Sequence, residues 1–296
     1  MNTERVLRRG FTRKEGKMQF LMIALCIAGF GDDLPITGEG PGWSPVDAEI
    51  QFEVLNDYHI TWADKICGMA YVPIFPFSPD PLVLFSTQDS AKTLNPATGA
   101  PGNFSECRPD GSGLGFGIAV DNIDSTIVLN SETNTNLWYY LGGEDWLTAP
   151  NPAGTNGTGL TCEGDGYYWQ GNGTGLMRLK INGPSTNFSN MAPSGISGVT
   201  IVPSDDPSKT RILVTTYDTD TFVLWEFDGG SMTQIATGVT PPSLNADRRC
   251  GLCWDSSRNS LFFAYQKSDD TYRICELNFE VLSMPQDTWA GIKSAF

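Results

Sequence analysis

The stretch Gly117-Ile-Ala-Val-Asp-Asn-Ile-Asp-Ser-Thr-Ile-Val-Leu-Asn130 holds two short apolar runs separated by a turn rich in Asp and Asn. Runs this short, rich in β-branched residues and bounded by turn formers, read as paired strands. The arrangement recurs along the chain. An apolar segment led by glycine stands at Gly68-Met-Ala-Tyr71, Gly117-Ile-Ala-Val120, Gly159-Leu-Thr-Cys162, Gly198-Val-Thr-Ile201 and Gly251-Leu-Cys-Trp254, at spacings of 49, 42, 39 and 53 residues. A second apolar run follows each: Leu82–Ser86, Thr126–Asn130, Tyr167–Trp169, Arg211–Tyr217 and Ser260–Tyr265. Third strands are expected at Leu137–Leu141, Leu176–Ile181, Phe222–Phe227 and Tyr272–Leu277, where apolar and polar positions alternate. A weaker fourth segment, as at Asp145–Thr148 and Met232–Ala236, closes most units.

Four strands in about 45 residues is the size of a β-propeller blade. The first two strands at Gly117–Asp121 with Ser125-Thr-Ile-Val128, and at Gly251–Asp255 with Asn259-Ser-Leu-Phe262, resemble those of secreted β-propellers of the NHL, YVTN and related repeat families. Asn95-Pro-Ala-Thr-Gly99 resembles the turn between their third and fourth strands. The resemblance spans about residues 48–285 and implies an all-β propeller; it bears on fold rather than activity. Five glycine-led openings predict five four-stranded blades, closed by an N-terminal strand, Glu49–Leu55, that completes the last blade. A sixth, degenerate blade built from residues 43–66 and the C-terminal tail is the alternative. Composition agrees: 32 Gly and 19 Pro are too many for a helical bundle, and the hydrophobic content of 40% supports a large core.

Residues 1–31 are basic, with six Lys and Arg against two Glu, and lead into the apolar run Phe20–Phe30. That run is too short to span a membrane and has the length of a signal-peptide core, so an exported protein is expected, secreted, periplasmic or extracellular. The expected organisation is a signal peptide over 1–31, an extended linker over 32–47 and a single propeller domain over 48–296. The formal charge of −15 argues against nucleic acid and anionic lipid as partners.

His59 is the only histidine, which leaves no multi-histidine metal site and makes any Ser-His-Asp arrangement depend on one residue. Cys250 and Cys253 have C-x-x-C spacing, but on a strand residues three apart face opposite sides and cannot chelate one ion. Cys67 and Cys250 each precede a repeat glycine, in the first and last units. Those units are neighbours in a closed ring, so a Cys67–Cys250 disulfide is one expectation and buried thiols are the other. Acidic turns follow the first strands at Asp121 and Asp124, Glu163 and Asp165, Asp205 and Asp206, and Asp255. Turn chemistry explains them, with calcium left open and no other cofactor or metal expected.

The opposite face is built by the loops leading into the first strands and those joining second to third strands. It carries Trp62, Asp64, Arg108, Asp110, Asp247, Arg248, Arg249, Asp269 and Asp270, a set suited to recognition. Trp138, Trp169, Trp225 and Trp254 fall inside strands and are expected to pack between sheets. The resulting expectation is a monomeric, non-catalytic binding or scaffold module for an extracellular protein or glycan, with Trp62, Asp64, Arg108, Asp110, Asp247, Arg248 and Asp270 as binding residues. The alternative is a secreted propeller hydrolase, a glycosidase or lactonase, using carboxylates with or without calcium.

Overall fold

The structure, a computed structural model, describes residues 36–38, 42–44, 46, 48–63, 65–73, 81–87, 90–107, 115–123, 126–131, 134–140 and 146–282, with backbone alone for 36–38, 103–107 and 115–116. The chain divides into Met1–Leu34 and Pro35–Phe296, and all the described residues belong to the second unit. The expected signal peptide and residues 283–296 lie outside the described residues.

Strands β1 (Ile36–Gly38) and β2 (Glu49–His59) precede the first glycine-led unit. That unit comprises β3 (Met69–Val72), β4 (Leu82–Ser86), β5 (Ser90–Leu94) and β6 (Pro101–Cys107). The second comprises β7 (Gly115–Asp121), β8 (Thr126–Ser131), β9 (Asn136–Tyr140) and β10 (Trp146–Pro150), and the third β11 (Gly157–Gly164), β12 (Tyr167–Asn172), β13 (Gly175–Lys180) and β14 (Ser185–Phe188). Then come β15 (Ile196–Val202), β16 (Thr210–Thr216), β17 (Thr221–Phe227) and β18 (Met232–Val239), and finally β19 (Ala246–Asp255), β20 (Ser260–Lys267) and β21 (Tyr272–Leu282).

The described residues are all-β, in four-stranded antiparallel groups whose strands pair in sequence order. The last group takes its fourth strand from the N-terminal side: β2 runs antiparallel to β21 from Glu49 opposite Leu282 to His59 opposite Arg273. The expected closing strand therefore forms and extends four residues past Leu55. On its other edge β2 meets β18 in a short parallel pairing, Thr237 with Glu49 and Gly238 with Ile50, which joins two groups into one eight-stranded sheet. Upstream, β1 adds a parallel fifth strand to β14, and Ser44 exchanges hydrogen bonds with the Gln234 side chain. The segment expected as a linker thus runs along the outer edges of two sheets.

At the centre, β3, β7, β11, β15 and β19 contact one another in that order, and β19 contacts β3. The repeat glycines make this possible. A Cβ on Gly159 would lie 2.7 Å from the Gly198 Cα, and one on Gly251 would lie 2.9 Å from the Gly68 Cα, closer than real side chains come to backbone. The recurrence of glycine at this position is therefore a packing requirement of neighbouring first strands.

The first two strands of the sheets are largely buried on both faces, as in β4 and β8, which is why they read as continuous apolar runs rather than a clean alternation. Five clusters fill the spaces between successive sheets. Trp169 and Phe188 meet Trp225 and Phe227 in one; Phe222 and Leu224 meet Phe263 in the next; Phe262 and Ile274 meet Phe85 and Tyr71 in a third. The remaining two pair Leu84 with Ile118 and Leu129, and Val128 with Leu160 and Tyr168. Neighbouring residues such as Phe262 and Phe263 point into different clusters, as period-two geometry demands. Trp138, Trp169 and Trp225 are buried in these clusters as expected, and Trp254 sits edge-on to Phe279 at 5.6 Å.

Candidate functional site

The two ends of the first strands open into different cavities. The larger, about 370 Å³, lies where the chain leads into β3, β11, β15 and β19, within the range of small-ligand sites. Ile66, Cys67, Ile196 and Cys250 give it an apolar floor, while Tyr217 and Asp218 come from the β16–β17 loop, and Gln266 and Tyr272 from the ends of β20 and β21. Lys65, Thr158, Ser197, Arg248 and Arg249 complete its polar lining. These are the loop classes expected to form the recognition face.

Specific neighbours hold the polar groups. The Arg248 guanidinium stands over the Tyr217 ring at 5.7 Å, within cation–π range. Arg249 is buried; it donates to the carbonyls of Ala246 and Asp247 at 3.0 and 3.1 Å and pairs with Asp220, while its Nε has no partner. Burial lowers its affinity for the proton, and the nearby Cys250 and Asp218 oppose that effect. Gln266 donates from Nε2 to the Asp270 carboxylate at 2.8 Å, which fixes the amide in the cavity wall. Burial, with Cys250 and Cys67 next in effect, pushes the Tyr272 hydroxyl up to about 12, and burial also raises Tyr217. Both phenols therefore stay protonated and able to donate at neutral pH.

Of the residues expected to bind, Arg248 lines the cavity, Asp247 is exposed beside it at the start of β19, and Asp270 acts through Gln266. Trp62 is turned toward the core, its ring 5.3 Å from Phe85, and is not among the lining residues. Asp64, Arg108 and Asp110 lie outside the described residues. Cys67 and Cys250 both line the cavity. Sequence reading missed Lys65, Ser197, Tyr217, Asp218, Gln266 and Tyr272. Their signal was position: each sits within a few residues of the start or end of a strand on the face already singled out.

At the other end, a second cavity of about 210 Å³ is lined by residues from all five first strands, among them Tyr71, Val120, Thr161, Thr200 and Trp254. The described acidic turns stand around this end, and most of their carboxylates are engaged within the fold, although the buried Asp255 Oδ2 has no partner. Asp121 Oδ1 accepts from the Ile123 amide at 3.0 Å, and Asp255 Oδ1 accepts from the amides of Ser257 and Arg258 and from the Ser257 hydroxyl. Asp206 does the same for Ser208. Glu163 accepts from Arg178 Nε at 2.6 Å, from Trp169 Nε1 at 3.0 Å and from the Thr210 hydroxyl. Among the described residues no group of three or more His, Cys, Asp and Glu is placed to hold a metal ion. No described helix is long and apolar enough to cross a membrane. His59 is exposed at the end of β2, away from both cavity linings.

No protein-family model matches the sequence, and no curated protein is significantly similar to it. Solved structures do match. Glutaminyl cyclase of Myxococcus xanthus superposes with a TM-score of 0.55 at 16% identity, covering 81% of this chain and all of that one. Virginiamycin B lyase of Staphylococcus aureus gives 0.46 at 12% identity, covering 80% of this chain and 75% of the lyase. An auxiliary nutrient binding protein of Bacteroides ovatus gives 0.47 at 10% identity, covering 74% and 61%. At these identities the likeness concerns architecture alone. The four-stranded antiparallel sheets of this chain match those of β-propellers.

Proposed function

We propose that the protein is an exported, monomeric, five-bladed propeller that binds an extracellular protein or glycan at the 370 Å³ cavity and the loops around it. The blade count is supported by five four-stranded groups among the described residues and by the closed circuit of their first strands. The observation that carries the binding reading is the make-up of the cavity: two tyrosines, a glutamine amide and Arg248 surround an apolar floor. Aromatic faces with oriented hydrogen-bonding groups suit recognition of a sugar ring or a protein side chain. A hydrolase of the carboxylate type needs two acids facing one substrate. Asp218 is the one carboxylate among the described lining residues of this cavity. Asp247 and Asp270 belong to the surrounding rim in this reading.

The test is a glycan array and an extracellular-protein screen with the wild type, Tyr217→Ala and Arg248→Ala, each checked for native circular dichroism. A ligand whose affinity falls at least about tenfold in both variants supports the reading. Turnover of that ligand, or binding indifferent to both substitutions, overturns it.

A further inference from the structure

We propose that Cys67 and Cys250 form a disulfide across the seam between the first and last units, with the bond set into the wall of the larger cavity. The residues immediately before the five repeat glycines are Cys67, Phe116, Thr158, Ser197 and Cys250. Cysteine thus occupies this position in two units only, those of β3 and β19. Those two strands, remote in sequence, are in contact at the seam. Gly68 and Gly251 meet backbone to backbone, since a Cβ on Gly251 would fall 2.9 Å from the Gly68 Cα and 3.1 Å from the Met69 amide nitrogen. One step back along the two segments, Cys67 is the first neighbouring group to act on the Cys250 thiol, which sets the two side chains near each other, and a disulfide needs their Cα atoms within about 7 Å. Both line the same cavity. The Cys67 amide is tied to the Ser86 carbonyl at 2.9 Å, which holds one side of the seam in place.

The chemistry is thiol–disulfide exchange with a small-molecule disulfide of the glutathione class. One cysteine thiolate attacks the oxidant, a mixed disulfide forms and one thiol leaves; the second cysteine then displaces the other thiol. Two protein thiols lose two electrons and two protons, and the oxidant disulfide is reduced to two thiols. Timing follows from burial. The Cys250 thiol is raised far above its ordinary range, first by desolvation and then by the neighbouring Cys67, so it is a poor nucleophile in the finished ring. The bond is expected to form while the last unit docks, and thereafter to act as a clasp, whatever the cavity binds.

The experiment refolds the full chain with either oxidised glutathione or excess reductant, alkylates without reduction and maps the peptides. A Cys67–Cys250 linked peptide, present only after oxidative refolding and lost on reduction, is the expected result. The oxidised protein should also unfold at a midpoint about 5 °C or more above the reduced one, and the Cys67→Ala/Cys250→Ala double variant should show no such difference. Alkylation of both cysteines after oxidative refolding overturns the proposal, as does linkage of either to a different cysteine. The peptide map uses wild-type protein, so it decides the matter even where the double variant folds poorly.

Discussion

The two ends of the first strands use charge in opposite ways. Where the strands finish, acidic side chains are consumed by the fold: Asp121, Asp206 and Asp255 close turns, and Glu276 sits 1% exposed in a web of four contacts. Arg258 grips its two oxygens at 2.7 and 2.8 Å, and Asn56 and Ser260 donate to them at 2.7 and 2.8 Å. Where the strands begin, Arg248 and Asp247 are exposed beside a cavity that Tyr217 and Tyr272 line. An acidic residue's place in the sequence therefore says little about its task until its hydrogen-bond partners are known. A carboxylate already holding two or three donors has little capacity left for substrate.

The contrast is tested most severely at Glu276. Its replacement by Ala removes the ionic partner of Arg258 and the acceptor that holds the Asn56 amide on the closing strand and the buried Ser260 hydroxyl, so a loss of about 2–3 kcal/mol is expected in urea unfolding. Arg248→Ala, at the other end, should change stability by less than about 0.5 kcal/mol. The same carboxylate makes the contrast pH-dependent. Burial works against its ionisation, but hydrogen bonds from Arg258, Asn56 and Ser260 outweigh it and hold the group below the ordinary glutamate range. A depressed folded-state value means that the unfolded chain binds the proton more readily. The stabilisation is therefore complete above the unfolded value and is lost as pH falls through the lower folded one. Unfolding midpoints measured from about pH 7 to about pH 3 should decline for the wild type and flatten for Glu276→Gln. An equally steep decline in both would assign acid sensitivity elsewhere.

A substitution midway between the ends separates packing from charge. Gly159→Ala sets a methyl group 2.7 Å from the backbone of Gly198 and Val199, where no flexible side chain can yield. The expected loss is about 2 kcal/mol, with β11 and β15 forced apart. Gly154→Ala, at a glycine with open space but a φ of +59°, should cost about 1 kcal/mol through backbone strain alone. If the two losses are equal, the repeat glycines are there for conformation and not for close approach.

The fold was legible because β-branched runs and glycine spacing are written directly in the residues, and Asn95–Gly99 indeed forms the turn before β6. Among the strands that escaped notice, β5 with Ser90-Ala-Lys-Thr-Leu94 and β14 with Ser185-Thr-Asn-Phe188 contain few apolar residues. Their strand character comes from neighbours on the ladder rather than from their own pattern. The site was legible as a face and not as a set of residues. Tyr217 and Tyr272 look like the ends of ordinary strands, and only the circuit of β3, β15 and β19 brings them to one cavity. Trp62 illustrates the reverse case: a large aromatic in a loop suggested recognition, yet burying its ring against Phe85 removes more apolar surface from water than a rim position would.

The mildest substitution bears most directly on the acidic turns. Asp121 is buried, and its Oδ1 holds the Ile123 amide at 3.0 Å, an arrangement in which a side chain replaces a backbone partner. Asp121→Ala should lose about 1 kcal/mol, the usual worth of one such hydrogen bond. Asp121→Asn keeps a carbonyl acceptor of the same reach and should stay within about 0.5 kcal/mol of the wild type. Calcium should leave the unfolding midpoint of all three proteins unchanged, because the turn uses the carboxylate for its shape and not its charge. A midpoint that rises with calcium in the wild type and not in Asp121→Asn would instead make the charge the point, and the two ends of the propeller would then both be working surfaces.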